Sequence, residues 1–196
     1  EPTEYPTVDI FDPAVLEISQ SSMVETGQSL IERLLDEWPD LLCDARIGWG
    51  TGRGRIMNSA GIDEAYEQTT YYCSLGAQLI RGTDMLNIWT GSSSSHVLEE
   101  NELDRLLQTV RRSLRWSENI AKATPSAGDI PVIFTPRGFA ATLLHPLLSG
   151  FNGKNVVNES SPLCERWGEK IVDENISVYD NPLIGGASGS RPFDDG

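Results

Sequence analysis

Cysteine, histidine and positive charge are all scarce in this chain of 196 residues. Its cysteines are Cys43, Cys73 and Cys164, an odd number at wide spacing with no C-x-x-C. That argues against a disulfide framework and against a cysteine zinc site. Its histidines are His96 and His145, and a protein metal site ordinarily recruits three or four donors at compatible spacing. No apolar run approaches the roughly 18 residues of a membrane span. No secretory leader is visible, although a trimmed N-terminus would hide one. Lys plus Arg number 15 against 29 Asp plus Glu, a formal charge of −14. A field of that sign repels phosphate backbones and argues against direct nucleic-acid binding.

What is present is enough for a folded core. Hydrophobic residues make up 39% and there are five Trp, so the acidity does not imply disorder. The free thiols and the lack of a span fit a cytoplasmic protein. The chain begins at Glu1 and stops at Gly196 without a helix end, which reads as a piece of something longer.

Hydrophobic periodicity orders the elements. Residues 1–14, with Pro2, Pro6 and Pro13, read as an extended lead-in. Ser22 to Glu25 has the form of a capping box, and Met23, Leu30, Ile31, Leu34, Leu35 and Trp38 recur at helical spacing until Pro39. This predicts a helix over about 22–37. Cys43, Ala45, Ile47 and Trp49 then alternate as in a strand. Gly50 to Gly54 is expected to turn the chain, Arg55–Asn58 to return, and Asn58–Gly61 to turn again. Strands over 64–80 and 84–90 would complete an antiparallel meander of about four strands, followed by a polar loop at Ser92–Ser95. A second helix is expected over about 98–122, with Leu103, Leu106, Leu107, Val110 and Leu114 as its apolar stripe. Its acidic start and its basic end (Arg111, Arg112, Arg115, Lys122) suit the helix dipole, and the arginines read as a solvated face. Thr124–Gly128 reads as a linker, Val132–Thr135 as a strand, 137–149 as a helix, and the remainder as loops. The class is α+β, with a central domain at 1–124 and the opening segment of a second, truncated domain at 129–196.

Site candidates are few. Gly48, Gly50, Gly52 and Gly54 lie between expected strands, which disfavours a phosphate loop and favours a hairpin. Cys43 and Cys73 read as small buried hydrophobes, His96 as a surface or helix-start residue, and His145 as a lone, partly buried histidine. Asp173, Glu174, Asp180, Asp194 and Asp195 read as solvated charge. The stretch Leu183–Ser190 allows close approach of a ligand or a strand, or simple flexibility.

A family resemblance adds to these readings. Pro131-Val132-Ile133-Phe134, Leu147-Leu148-Ser149-Gly150, Leu163, Gly168-Glu169-Lys170-Ile171, Asp180-Asn181-Pro182 and Arg191-Pro192-Phe193-Asp194-Asp195 follow the order of the TldD/PmbA family. That family is also described as modulators of DNA gyrase. Upstream, Met57-Asn58-Ser59-Ala60-Gly61 resembles the turn of its central domain. In TldD-type members an H-E-x-x-x-H motif binds catalytic zinc, and its glutamate activates water. The aligned window here runs from Ala140 to His145, with Ala140 and Ala141 at the first histidine and the glutamate. Alanine offers no donor atom. The chain thus resembles the PmbA (TldE) branch, which implies no catalytic or metal-binding residue of its own. It implies zinc in a TldD-type partner and a cytoplasmic peptidase complex acting on unfolded peptides. Two rival expectations remain: a metallopeptidase whose ligands lie beyond Gly196, and a non-proteolytic binding protein. A homo-oligomer is the alternative to a TldD-type partner.

Overall fold

The computed structural model describes residues 5–118 and 128–193, and it divides the chain into two compact units. One comprises Glu1–Ala121 with Asp180–Gly196, the other Lys122–Tyr179.

The first unit is a three-stranded antiparallel meander, β1 (Leu42–Met57), β2 (Asp63–Arg81) and β3 (Asp84–Ser94), in the order β1-β2-β3. Helices α1 (Pro13–Leu16), α2 (Gln20–Leu35) and α3 (Glu100–Ser117) pack on the sheet. Leu30 and Leu34 of α2, Leu107, Val110 and Leu114 of α3, and Tyr71, Cys73, Leu75 and Ala77 of β2 form one buried cluster. The strand residues alternate, as burying a single sheet face requires. Removing a fully buried leucine from water contributes about 2 kcal/mol, so Leu75 and Leu107, each 0% exposed, anchor the layer.

The cap of α2 lies one turn earlier than expected, and α3 starts within two residues of its expected position. Ser19, not Ser22, caps α2, its Oγ accepting the Ser22 N–H at 3.1 Å. Glu99 and Glu102 form a capping box that opens α3. Arg111 and Arg115 both reach Glu37 beyond the end of α2, and Arg112 lies 5.4 Å over the Trp116 ring. The basic end of α3 is therefore partly a brace between helices rather than a wholly solvated face.

The largest correction concerns Gly50–Gly54. These residues do not turn the chain; β1 runs straight through them, so the sheet has three strands rather than four. The glycines recur every second residue, which puts them all on one face. Gly48 faces Tyr72 and Gly54 faces Tyr66 across the ladder. A Cβ at Gly48 would lie 2.5 Å from the Tyr72 hydroxyl and 2.7 Å from Cζ, and one at Gly54 would overlap the Tyr66 ring. The missing side chains make room for tyrosines lying flat across β1. Ser92–Ser94 belong to β3 instead of a loop. The turn at Asn58 forms as expected, its Oδ1 accepting the N–H groups of Ala60 and Ile62.

In the second unit, Pro136–Phe151 is one continuous helical run: α4 (Pro136–Phe139), a π-helical turn (Ala140–Leu144) and α5 (His145–Phe151), followed by α6 (Gly153–Val157). The strand expected at Val132–Thr135 is absent; no described strand lies beside it to pair with, and Thr135 instead caps α4. Beyond α6 the unit is turns. Among its described residues only Gly150 and Ser161 are buried, with the Ser161 Oγ donating to the Gly150 carbonyl at 2.6 Å. Most of the expected linker, and Lys122, Asp194 and Asp195, lie outside the described residues.

Candidate functional site

The aligned window from Ala140 to His145 coincides with the π-helical turn and the residue after it. On a regular α-helix, side chains five residues apart diverge by about 140° around the axis. A π turn bonds i to i+5 and takes up an extra residue, which brings positions 140 and 145 towards one face; such turns concentrate at functional sites. Ala140, Ala141 and His145 are all exposed, so His145 is not the partly buried residue expected from its apolar neighbours. The donor chemistry does not match the geometry. His145 is the window's sole imidazole, and no group of three or more His, Cys, Asp or Glu that could hold a metal occurs among the described residues. A resident zinc does not fit this donor set.

The remaining candidates resolve into structural roles. Burial pushes the Cys73 thiol up to about 11 and raises that of Cys43, which leaves both protonated and poorly nucleophilic at neutral pH. Asp173 is held below the usual carboxylate range, chiefly by the backbone N–H of Asn175 and also by its side-chain amide. Its Oδ1 accepts both, at 3.0 and 2.8 Å, in a local turn.

One polar arrangement was not legible in the sequence. His96 Nε2 lies 3.1 Å from Asp9 Oδ1. Between these residues and the end of β3 runs the segment around Gly186. Its N–H donates to the Asp9 carbonyl at 2.7 Å, and its carbonyl accepts from Ser95 N–H and Ser94 Oγ, both at 2.8 Å. Ser94 also bridges Ala187 as an isolated antiparallel pair. Phe193 meets the edges or faces of Tyr5 and Tyr66 at 5.5 and 5.2 Å. The glycine-rich stretch thus approaches a strand closely, one of the uses expected of it. Gly186 has φ +77, and a Cβ there would lie 3.1 Å from His96 Nδ1. Among the described residues the hydrogen bond of this imidazole is to Asp9, and it clasps a strap onto the sheet.

Comparison with known proteins bears on both units. Residues 127–196 match the PmbA/TldA metallopeptidase C-terminal domain. An uncharacterized protein of Methanocaldococcus jannaschii is 24% identical over 176 residues, covering 89% of this chain and 39% of that protein. The crystal structure of TldE from Thermococcus kodakarensis superposes with a TM-score of 0.70 at 22% identity, covering 98% of this chain and 43% of that one. The chain spans less than half the length of either relative.

Proposed function

We propose, from the match of residues 127–196 to the PmbA/TldA metallopeptidase C-terminal domain and from the fold shared with TldE, that this chain is a TldE-like member of the TldD/PmbA family and serves as the catalytically silent part of a zinc-dependent peptidase complex. The observation that carries this reading is the pair Ala140 and Ala141. They occupy the positions at which the family resemblance calls for a metal-binding histidine and a water-activating glutamate. Without a donor at 140 and a base at 141, this chain can neither complete a zinc site in that window nor deprotonate water there. Zinc and the attacking water then belong to a TldD-type partner. This chain supplies part of the enclosure for an unfolded peptide in the cytoplasm. The segment 129–196 is, in this reading, the opening of a C-terminal domain.

The protein purified alone should show no chelator-sensitive peptidase activity. Adding a TldD-type partner from the same cell should produce activity that EDTA abolishes. His145→Ala should change that activity by less than about twofold, since one imidazole adds little to a site held elsewhere. Robust chelator-sensitive cleavage by this protein alone, in a preparation free of partner, would overturn the proposal.

A further inference from the structure

Where β3 stops, Thr69 of β2 builds a cleft. Its N–H donates to the Ile10 carbonyl at 3.0 Å. Its Oγ1 donates to the Ser95 carbonyl at 2.6 Å and accepts the Asp12 N–H at 2.9 Å. Thr69 is 1% exposed. The N-terminal segment and the end of β3 are thus tied to β2, and through it to each other, without help from residues 180–193. No residue of the apolar core comes from 180–193 either. The glycine tip of the strap sits between these two walls, which read one residue from both sides. Asp9 takes the Gly186 N–H, while Ser95 N–H and Ser94 Oγ give to the Gly186 carbonyl. A side chain at this position is resisted by the positive φ and by His96. Further along, Phe193 fills a second subsite between Tyr5 and Tyr66.

The strap keeps its own shape. Arg191 N–H donates to the Pro182 carbonyl at 2.9 Å and Ser190 N–H to the Ala187 carbonyl at 3.0 Å, closing a compact loop over 182–191. Its aliphatic side chains stay in the open, Leu183 46% and Ile184 53% exposed. A segment held by hydrogen bonds and one aromatic contact, with little apolar burial, opens without unfolding the rest. Opening strands the Ser95 N–H and the Asp9 carbonyl, which favours refilling. The structure shows what fits: a glycine in the left-handed region at the tip of a tight loop, with an aromatic ring further along. A second copy carries that segment by identity. From Asn181 to Phe193 its sole ionised side chain is the cation Arg191, so the net charge of −14 does not repel it at close range. The chain's own strap is tethered across 92 residues, which gives it an effective concentration on the order of millimolar at most.

We propose that this cleft is an exchange site between two copies of the chain. The strap of one copy leaves its own cleft and seats Gly186 and Phe193 in the cleft of the second, which returns its strap in the same way. Each cleft in the product is filled by the segment that filled it before, so the exchange loses no contact. It is independent of any TldD-type subunit and of peptidase activity.

Full-length variants test the two halves of this proposal separately. Gly186→Val puts a β-branched residue at φ +77, which its backbone does not tolerate, and so empties the cleft. The apolar core is untouched, and the circular dichroism spectrum should be that of the wild type. A synthetic peptide of residues 181–193 should bind this variant with a dissociation constant below about 1 mM. It should bind the wild type at least about tenfold more weakly, because the resident strap competes. The same peptide carrying Gly186→Val should not bind. In the second arm, Ser94→Ala/Tyr66→Ala keeps its strap but weakens its cleft. Sedimentation equilibrium of an equimolar mixture of this double variant with Gly186→Val should show a heterodimer, and each variant alone at the same concentration a monomer. Failure of the peptide to bind Gly186→Val overturns the proposal, as does binding indifferent to the peptide's own Gly186→Val. Peptide binding without a heterodimer overturns exchange between copies.

Discussion

Ala140→His would return to the π-helical turn the first of the two imidazoles that its geometry accommodates. Position 140 is exposed, so no packing is lost, and replacing alanine by histidine in a helix costs about 0.6 kcal/mol. The gain appears only with metal. Two imidazoles near one face, with water completing the shell, make a weak site for Zn²⁺ or Ni²⁺. At a free metal concentration 100 times the dissociation constant, a site present only in the folded chain stabilises it by about 2.7 kcal/mol. The metal term therefore outweighs the helix penalty several-fold. Thermal or urea unfolding of the second unit, followed in EDTA and then across a metal titration, should show saturable stabilisation of Ala140→His. The wild type should show none, and adding His145→Ala to the variant should abolish it. A folded Ala140→His protein with no metal-dependent stabilisation at millimolar metal would refute the placement of 140 and 145 on a common face. Equal stabilisation of the wild type would show that His145 recruits donors from elsewhere.

Other predictions rest on the first unit. Gly48→Ala should destabilise it, and less so when Tyr72 is also alanine. A double-mutant cycle by urea denaturation should give a coupling of at least about 0.5 kcal/mol, and zero coupling would mean that the tyrosine does not depend on the gap. Cys73 has a folded pKa of about 11, raised above its unfolded value near 8.5 to 9. Between those values the unfolded chain releases the proton while the folded chain keeps it. The stability held below about pH 9 should therefore fall as pH rises to 11, by a few kcal/mol at most. Cys73→Ala should flatten that part of the curve, leaving smaller slopes of the same sign from Cys43 and Tyr71, whose pKa values are also raised by burial. Gly186→Ala should cost about 1–2 kcal/mol, through its left-handed backbone and its approach to His96. Unchanged unfolding would show that the strap is not clasped there in solution.

Periodicity made the helices and the antiparallel sheet legible, because burying one face writes the same spacing into the sequence wherever it occurs. It failed where one signal serves two geometries. Glycine at alternate positions reads as a flexible turn when counted by composition, and as a bare strand face when counted by period. Only the tyrosines at 66 and 72, one strand away, decide between them. Val132–Thr135 shows the opposite failure: β-branched and aromatic residues favour a strand, but a strand needs a neighbour. The alanines of the 140–145 window were visible in the sequence, though only the family resemblance gave them meaning. The π turn beneath them was not visible, and neither was the contact of Asp9 with His96, which joins residues 87 apart.

That contact and the strap beside it have a consequence for the protein as it is made. Gly186 lies 92 residues downstream of the Ser94 hydroxyl that it binds. At translation rates of about 5–20 residues per second, the ribosome takes roughly 5 to 20 s to deliver it. During that interval the end of β3 has emerged without the backbone groups that will cover it, and both outer edges of the meander are open. The nascent chain is then a short sheet with two unguarded sides, the state in which a chaperone, or the same sheet on a neighbouring ribosome, has its best opportunity to bind. Arrival of Gly186 closes one side. Synthesis rate, and not only final stability, should therefore govern how much of this chain escapes misassembly.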